Sequence, residues 1–298
     1  MTPSASGRLR LATRGSPQAL TQARAVADAI TARTGVATEL VPVTTAGDRD
    51  QTVPLHVIGG LGVFVKEIQL AVLDGRADFA VHSAKDLPSE TPAGLVIGAF
   101  CERRDPADAL IGLALASLAD GATVATGSVR RRAQLAAERR DLEFIELRGN
   151  IARRLDQVPP GGAIVMAVAA LAVLEMTERI AERLDPSRFV PAVGQGCVAV
   201  ECRADDAERI DVLTAIDHAP TRTAVTIERA FLRELGSGCS LPIGAHCVDG
   251  YLDVFLADST TVTDVANVFR ERIDVGAGGD GAGLAAALAR RAQQTIGT

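Results

Sequence analysis

Residues 9–17 read Leu9-Arg10-Leu11-Ala12-Thr13-Arg14-Gly15-Ser16-Pro17. Leu9 to Thr13 has the composition of a short strand that ends at Arg14-Gly15. Ser16 and Pro17 then supply an N-cap and a proline at the first helical position. Leu20, Ala23, Ala27 and Ile30 recur at helical spacing as far as Gly35, and Thr38 to Val43 is again strand-like. Strand, capped helix and strand in direct succession predict an α/β protein.

The alternation continues outward from this unit. Thr44 to Gly62 is polar and glycine-rich, which predicts a long loop able to act as a lid. A helix over Val63 to Leu73 places Phe64, Ile68 and Val72 on one side, and the apolar strand Phe79 to Val81 runs into His82-Ser83-Ala84-Lys85-Asp86-Leu87-Pro88. Cys101 to Pro106, charged and closed by proline, reads as an interdomain crossing. A second α/β unit follows, with strands at Thr123 to Thr126, Glu143 to Leu147 and Ala163 to Val168, a helix over Val129 to Arg140 capped at Gly127-Ser128, and a turn at Arg148-Gly149-Asn150.

Pro191 to Gly196 is the second crossing, and the strand Cys197 to Cys202 is expected to return to the first sheet. From about Thr221 the pattern changes to one helix (Thr221 to Leu235), a Gly-Ser-Gly-Cys loop and two or three strands without intervening helices, at Ile243 to Val248, Leu252 to Leu256 and Ala266 to Ile273. A terminal helix with Leu284 and Leu288 on a shared face completes a small α+β domain. The expected fold is thus two α/β lobes with largely parallel sheets plus that third domain. The boundaries are 1–101 with 197–217, then 102–196, then 218–298.

The chain has 298 residues, is 47% hydrophobic and 23% charged, and carries a net charge of −6. It is apolar enough to bury more than one core, and its negative charge argues against nucleic-acid and anionic-membrane partners. No apolar run is long enough to span a bilayer, and residues 1–7 lack the apolar centre of a secretory signal, so a soluble intracellular protein is expected. Cys101, Cys197, Cys202, Cys239 and Cys247 are odd in number and predict reduced thiols. The cysteines and the scattered histidines His56, His82, His218 and His246 follow no metal-ligand spacing, so no metal is expected.

Lys66 and Lys85 are the only lysines among 31 cations; the rest are arginines. Scattered arginines are ordinary surface cations. Arg14 at the end of a first-unit strand, and Arg130, Arg131, Arg148 and Arg154 at turns and helix starts of the second, are placed differently. If both sheets turn their carboxyl ends to a shared cleft, these forks converge on a polyanionic small molecule. Phosphates and carboxylates satisfy that chemistry equally. Asp86, at a strand end beside Lys85, is the candidate acid or base. Cys239, between Gly238 and Ser240, is the thiol with most room for a group on sulfur. Gly59-Gly60-Leu61-Gly62 lacks both dinucleotide-binding and P-loop spacing, and no GxSxG elbow accompanies His82 and Ser83.

Six motifs in order resemble the porphobilinogen deaminase family: Leu11-Ala12-Thr13-Arg14-Gly15-Ser16-Pro17, Val81-His82-Ser83-Ala84-Lys85-Asp86-Leu87-Pro88, Thr126-Gly127-Ser128-Val129-Arg130-Arg131, Leu147-Arg148-Gly149-Asn150, Pro191-Ala192-Val193-Gly194-Gln195-Gly196 and Gly238-Cys239-Ser240-Leu241-Pro242-Ile243-Gly244. The resemblance implies two lobes built like type II periplasmic binding proteins and a third domain whose Cys239 carries a dipyrromethane cofactor through a thioether. Porphobilinogen units would add head to tail to this primer with loss of ammonia, and a linear polypyrrole, hydroxymethylbilane, would then be released by hydrolysis.

By the same resemblance Asp86 is catalytic, protonating the departing amine and holding pyrrole N–H groups. Arg14, Ser16, Ser83, Lys85, Asp86, Ser128, Arg130 and Arg131 hold the cofactor, and Arg14, Arg148, Arg154, Arg179 and Gln195 hold substrate. The growing chain accumulates on the order of a dozen carboxylates, which preformed guanidiniums can offset. The implied protein is a cytoplasmic monomer. Val57 and Leu61 depart from the pattern by standing where the family commonly has lysines in the lid, with His56 nearby, and Ala46 stands where an arginine is frequent. The competing class is a non-catalytic anion-binding protein on the same two-lobed fold, which would need no third-domain cysteine.

Overall fold

The computed structural model describes residues 7–45, 65–236, 241–258, 267–276 and 279–297. In chain order its elements are β1 (Leu9–Arg14), α1 (Pro17–Thr34), β2 (Thr38–Val43), α2 (Lys66–Leu73), β3 (Phe79–Ser83), β4 (Leu95–Phe100) and β5 (Asp108–Gly112). There follow β6 (Thr123–Ala125), α3 (Val129–Glu138), β7 (Glu143–Ile145), α4 (Ile151–Leu155), β8 (Ala163–Ala167), α5 (Val168–Val173) and β9 (Glu182–Arg183). The remainder is β10 (Val198–Arg203), α6 (Ala207–Thr214), α7 (Ala219–Glu234), β11 (Ile243–Val248), β12 (Tyr251–Ala257), β13 (Val268–Asp274) and α8 (Gly281–Ile296). The described residues fall into two compact units. The first draws on Met1–Val53, Leu61–Arg104 and Cys197–Arg222, the second on Asp105–Gly196 and Thr223–Thr298.

The first unit holds a five-stranded sheet in the order β2-β1-β3-β10-β4. β1 runs parallel to β2 and β3, whereas β10 is antiparallel to both β3 and β4. The return of the Cys197 strand to this sheet is therefore as expected. Residues alternate across it: Leu9, Leu11, Phe79 and Val200 pack with Ala23 and Ile30 of α1, while Ala12 and Ala80 face Ile68 and Val72 of α2. α1 starts where the sequence placed it, with Ser16 Oγ accepting the Ala19 N–H at 3.3 Å, and ends at Gly35.

The second unit contains a sheet in the order β7-β6-β8-β5-β9, the same plan with β5 as the antiparallel strand beside β8. Each five-stranded sheet has the strand order of a type II periplasmic-binding-protein lobe. Four of the five strands in each sheet run the same way, in line with the expectation of largely parallel sheets, and one reversed strand in each, β10 and β5, makes its two neighbouring pairs antiparallel. The sequence reading passed over two of these strands, β4 and β5. Leu95-Val96-Ile97-Gly98-Ala99-Phe100 is uniformly apolar and shows no period of two, as a strand covered on both faces should.

The same unit includes the antiparallel sheet β11-β12-β13. Ile243, Ala245, Leu252, Val254 and Leu256 face α7 and α8 through Phe231, Leu288 and Ala289. Its other face places Phe255 and Ala257 against Ala133 and Val190. The shared face expected for Leu284 and Leu288 is also corrected. Leu288 is buried, but Leu284 is exposed, since the apolar stripe runs through Ala285, Leu288, Ala289, Ala292 and Ile296.

Candidate active site

In the first unit the sequence-predicted residues meet at the carboxyl ends of β1 and β3, which are parallel neighbours. Arg14 ends β1, half-buried, and Ser16 caps α1 directly after it. β3 ends at Ser83, whose hydroxyl donates to Gln22 Oε1 of α1 at 3.2 Å. The chain then makes a single 3-10 turn, Ala84–Asp86, closed by the Leu87 N–H on the Ala84 carbonyl. Two contacts fix this turn: the Ala84 N–H donates to the Cys197 carbonyl at 2.9 Å, and the Leu87 side chain is buried. Lys85 and Asp86 are left half-buried at the sheet edge, and the Asp86 carboxylate makes no hydrogen bond or ion pair among the described residues.

His82 points the other way, as the period of a strand requires. It is buried with Nε2 3.1 Å from Glu201 Oε2, and the Gln69 amide donates to both oxygens of that carboxylate at 3.1 and 2.9 Å. A Ser83–His82 couple is therefore absent.

In the second unit the turn after β6 leads into α3, where Ser128 Oγ accepts the Arg131 N–H at 3.4 Å. Arg130 and Arg131 are not surface cations. Arg130 is 5% exposed, and Asp108, the first residue of β5, is 1% exposed. Arg130 Nη1 lies 2.8 Å from Asp108 Oδ2 and donates to the Val190 carbonyl, while Arg131 donates Nε and Nη2 to Asp108 Oδ1 at 3.0 and 2.8 Å and Nη1 to the Val165 carbonyl at 3.1 Å. The Gln195 amide nitrogen completes the set, donating to Asp108 Oδ1 at 2.8 Å and to the Pro106 carbonyl at 2.7 Å. Burial alone would raise the Asp108 pKa, but the two guanidiniums overcome it and hold the carboxyl well below the usual carboxylate range. The space beside the pair, bounded by Gln134, Leu135, Val165 and Phe189, leaves no room for water.

Arg148 and Arg154 occupy the neighbouring turn, between β7 and α4. The two turns abut: a Cβ on Gly127 would stand 3.0 Å from the Leu147 carbonyl oxygen. Gly149 adopts φ +111°, a conformation that permits the reversal between Arg148 and the Asn150 cap of α4. Arg154 Nε donates to the Gly149 carbonyl at 2.8 Å. Arg179 is exposed on a short turn, Thr177–Arg179, and makes no ion pair among the described residues. Cys239, the lid positions Val57 and Leu61, His56 and Ala46 lie outside the described residues. The strand that follows Cys239 is described. β11 is tied to the second crossing by the Ala245 N–H on the Pro191 carbonyl, and the buried Glu228 of α7 accepts both the Gly194 and Cys247 N–H groups at 2.8 Å.

Residues 9–211 match the profile of the porphobilinogen deaminase, dipyromethane cofactor binding domain, and residues 222–260 match that of the porphobilinogen deaminase C-terminal domain. The chain belongs to the porphobilinogen deaminase family. It is 47% identical over 247 residues to the porphobilinogen deaminase of Nitratidesulfovibrio vulgaris, covering 81% of this chain and 78% of that one. The porphobilinogen deaminase of Thermobifida fusca is 49% identical over 243 residues, 80% and 76% of the two chains. Among solved structures, immunogenic lipoprotein A from Vibrio vulnificus matches with a TM-score of 0.44 at 14% identity, over 74% of this chain and 99% of that one.

As a porphobilinogen deaminase family member the protein is a transferase of tetrapyrrole biosynthesis with a dipyrromethane cofactor. The described residues suit that acidic group. One buried carboxylate against two guanidiniums leaves the Asp108 cluster with one uncompensated positive charge at the N-terminus of α3, where the helix dipole adds to it. Sequence reasoning missed Asp108 and Gln22, which hold candidate side chains in place, and Glu228, which ties the second crossing to β11. Only Asp108 left a signal, as an acid opening the apolar run Ala109-Leu110-Ile111.

Proposed function

We propose that the protein joins four porphobilinogen units head to tail on a primer attached at Cys239 and releases the product as hydroxymethylbilane. The observation that carries the site assignment is the Ser83–Asp86 turn. It presents beside Lys85 a carboxylate with no partner among the described residues, at the carboxyl edge of the first sheet, with Arg14 at the end of the neighbouring strand. The dipyrromethane, when bound, supplies the pyrrole carbon to which the substrate is joined. As the bond from carbon to the amine breaks, Asp86 delivers a proton from its carboxyl oxygen to the departing nitrogen, and its carboxylate then accepts the pyrrole N–H as positive charge builds on the ring and takes back the proton displaced from the joined pyrrole carbon.

Arg14, Ser16, Ser83 and Lys85 of the first unit bind carboxylates of cofactor and substrate. Ser83 is oriented for this by Gln22. In the second unit Ser128, Arg131, Arg148 and Arg154 serve the same purpose, with Arg130 and Gln195 beneath them and Arg179 reaching from the surface. The three separate sheets support a reading of the chain as three domains, 1–101 with 197–217, 102–196 and 218–298. The protein acts as a cytoplasmic monomer; among the described residues no helix is long and apolar enough to cross a membrane.

Ehrlich's reagent and a substrate assay test this reading together. The purified protein should give the colour of a retained pyrrole chain and release ammonia in step with porphobilinogen consumed. A colourless protein that leaves porphobilinogen unchanged would place it with the non-catalytic anion binders.

A further inference from the structure

We propose that Asp108 is a positioning residue, which sets Arg131 and Gln195 as one rigid unit for the carboxylates of the reaction. The inference rests on the reading of Arg131 as an anion-binding residue and concerns a residue to which no part of the reaction has been assigned.

Asp108 Oδ1 takes three donors at once, Nε and Nη2 of Arg131 and the amide of Gln195. Arg131 is thereby gripped along one edge of its fork, and its Nη1 is fixed a second time by the Val165 carbonyl. The inner edge is fully engaged, so the remaining N–H groups project from a guanidinium that cannot rotate. Gln195 is pinned from two sides, by Asp108 and by the Pro106 carbonyl. Arg130 neutralises the second carboxylate oxygen from within the protein.

The placement explains why an acid is buried here. Asp108 begins β5 and pairs with Ala167, the last residue of β8, so it sits under the end of the sheet where the functional turns emerge. A carboxylate at that point lets two arginines be buried side by side with one positive charge left over. Without it their repulsion would separate them. A preorganised cation costs no reorganisation when the anion arrives, whereas a free side chain must be ordered each time.

Asp108→Glu, Asp108→Asn, Arg131→Lys and the double variant Asp108→Glu/Arg131→Lys test this in the cofactor-loaded enzyme. Melting temperature, dipyrromethane occupancy by intact mass, and kcat and KM for porphobilinogen are measured on each. Moving the carboxylate by one methylene should leave a folded Asp108→Glu protein whose kcat/KM falls roughly 10- to 100-fold, the loss expected when a contact is misplaced by about 1 Å. Dipyrromethane occupancy should fall with it. Because Asp108 acts through Arg131, the double variant should be little worse than the weaker single variant.

Asp108→Asn should lose at least as much if it folds, and Asp108→Glu decides the matter if it does not. Native kcat/KM in Asp108→Glu, losses that multiply in the double variant, or a lower melting temperature with unchanged activity per loaded molecule would each overturn the proposal. If Arg131→Lys itself is native in kcat/KM, the anion-binding reading of Arg131 fails. If Arg131→Lys is impaired and Asp108→Glu is not, only the positioning role fails.

Discussion

Asp86 and Asp108 are both aspartates at strand ends, and their surroundings separate them. Asp86 is half-buried with no partner among the described residues, whereas Asp108 is enclosed by Arg130, Arg131 and Gln195. Asp86→Asn keeps shape and removes charge, so it should yield a folded, cofactor-bearing protein whose turnover drops by orders of magnitude. Near-native turnover would make Asp86 a turn former only. For Asp108 the consequence lies in stability. Its folded pKa is depressed below 3.8, so its contribution is present above that pH and is lost as pH falls through the folded value. Thermal melts taken downward from pH 4 should show this loss, and a folded Asp108→Asn protein should show a shallower one.

The neighbouring arginines divide in the same way. Arg131→Leu would remove two of the donors of a buried carboxylate and leave it with Arg130 and Gln195 alone, so it should cost stability as well as function. Arg148, half-buried in its turn, gives the cleaner variant: Arg148→Leu should impair elongation while leaving the melting temperature nearly unchanged. Equal losses would indicate a structural ion pair instead.

Among the elements, those with a local signal were legible in the sequence. Ser16-Pro17 and Gly35 bracket α1 because caps and prolines act on the nearest turn. β4 and β5 were hidden because a strand buried on both faces loses its alternation, and the antiparallel insertion of β5 and β10 is a long-range pairing that no short window contains. Leu284 was misplaced for a different reason: alanines, not leucines, form most of the buried stripe of α8. The six motifs gave most of the candidate site residues, but the supports Gln22, Asp108 and Glu228 act on partners far away in sequence, and only Asp108 left a local mark.

Gly244 belongs with those supports. A Cβ there would stand 2.7 Å from the Val190 carbonyl oxygen, so β11 can lie against the second crossing only without a side chain at this position. Gly244→Ala should destabilise the protein by about 2 kcal/mol, the usual cost of overpacking, visible in a denaturant melt. An unchanged midpoint would show that β11 is not held there.

Across the whole molecule, the proposed chemistry rests on one thiol of five, Cys239. Cys101, Cys197, Cys202 and Cys247 form no disulfide among the described residues, the last three are buried, and burial pushes the Cys101 and Cys202 thiols up to about 11. At pH 8 roughly one in a thousand of those two would be thiolate, so neither competes for an electrophilic pyrrole. Intact-protein mass spectrometry of wild type and Cys239→Ser tests the account most directly. Wild type should carry an added mass equal to two porphobilinogen units less two ammonias, mapped to Cys239, and should give a ladder of heavier species as substrate is added. Cys239→Ser should carry none and be inactive. An active wild type without the adduct, or an adduct on another cysteine, would contradict the assignment of the site.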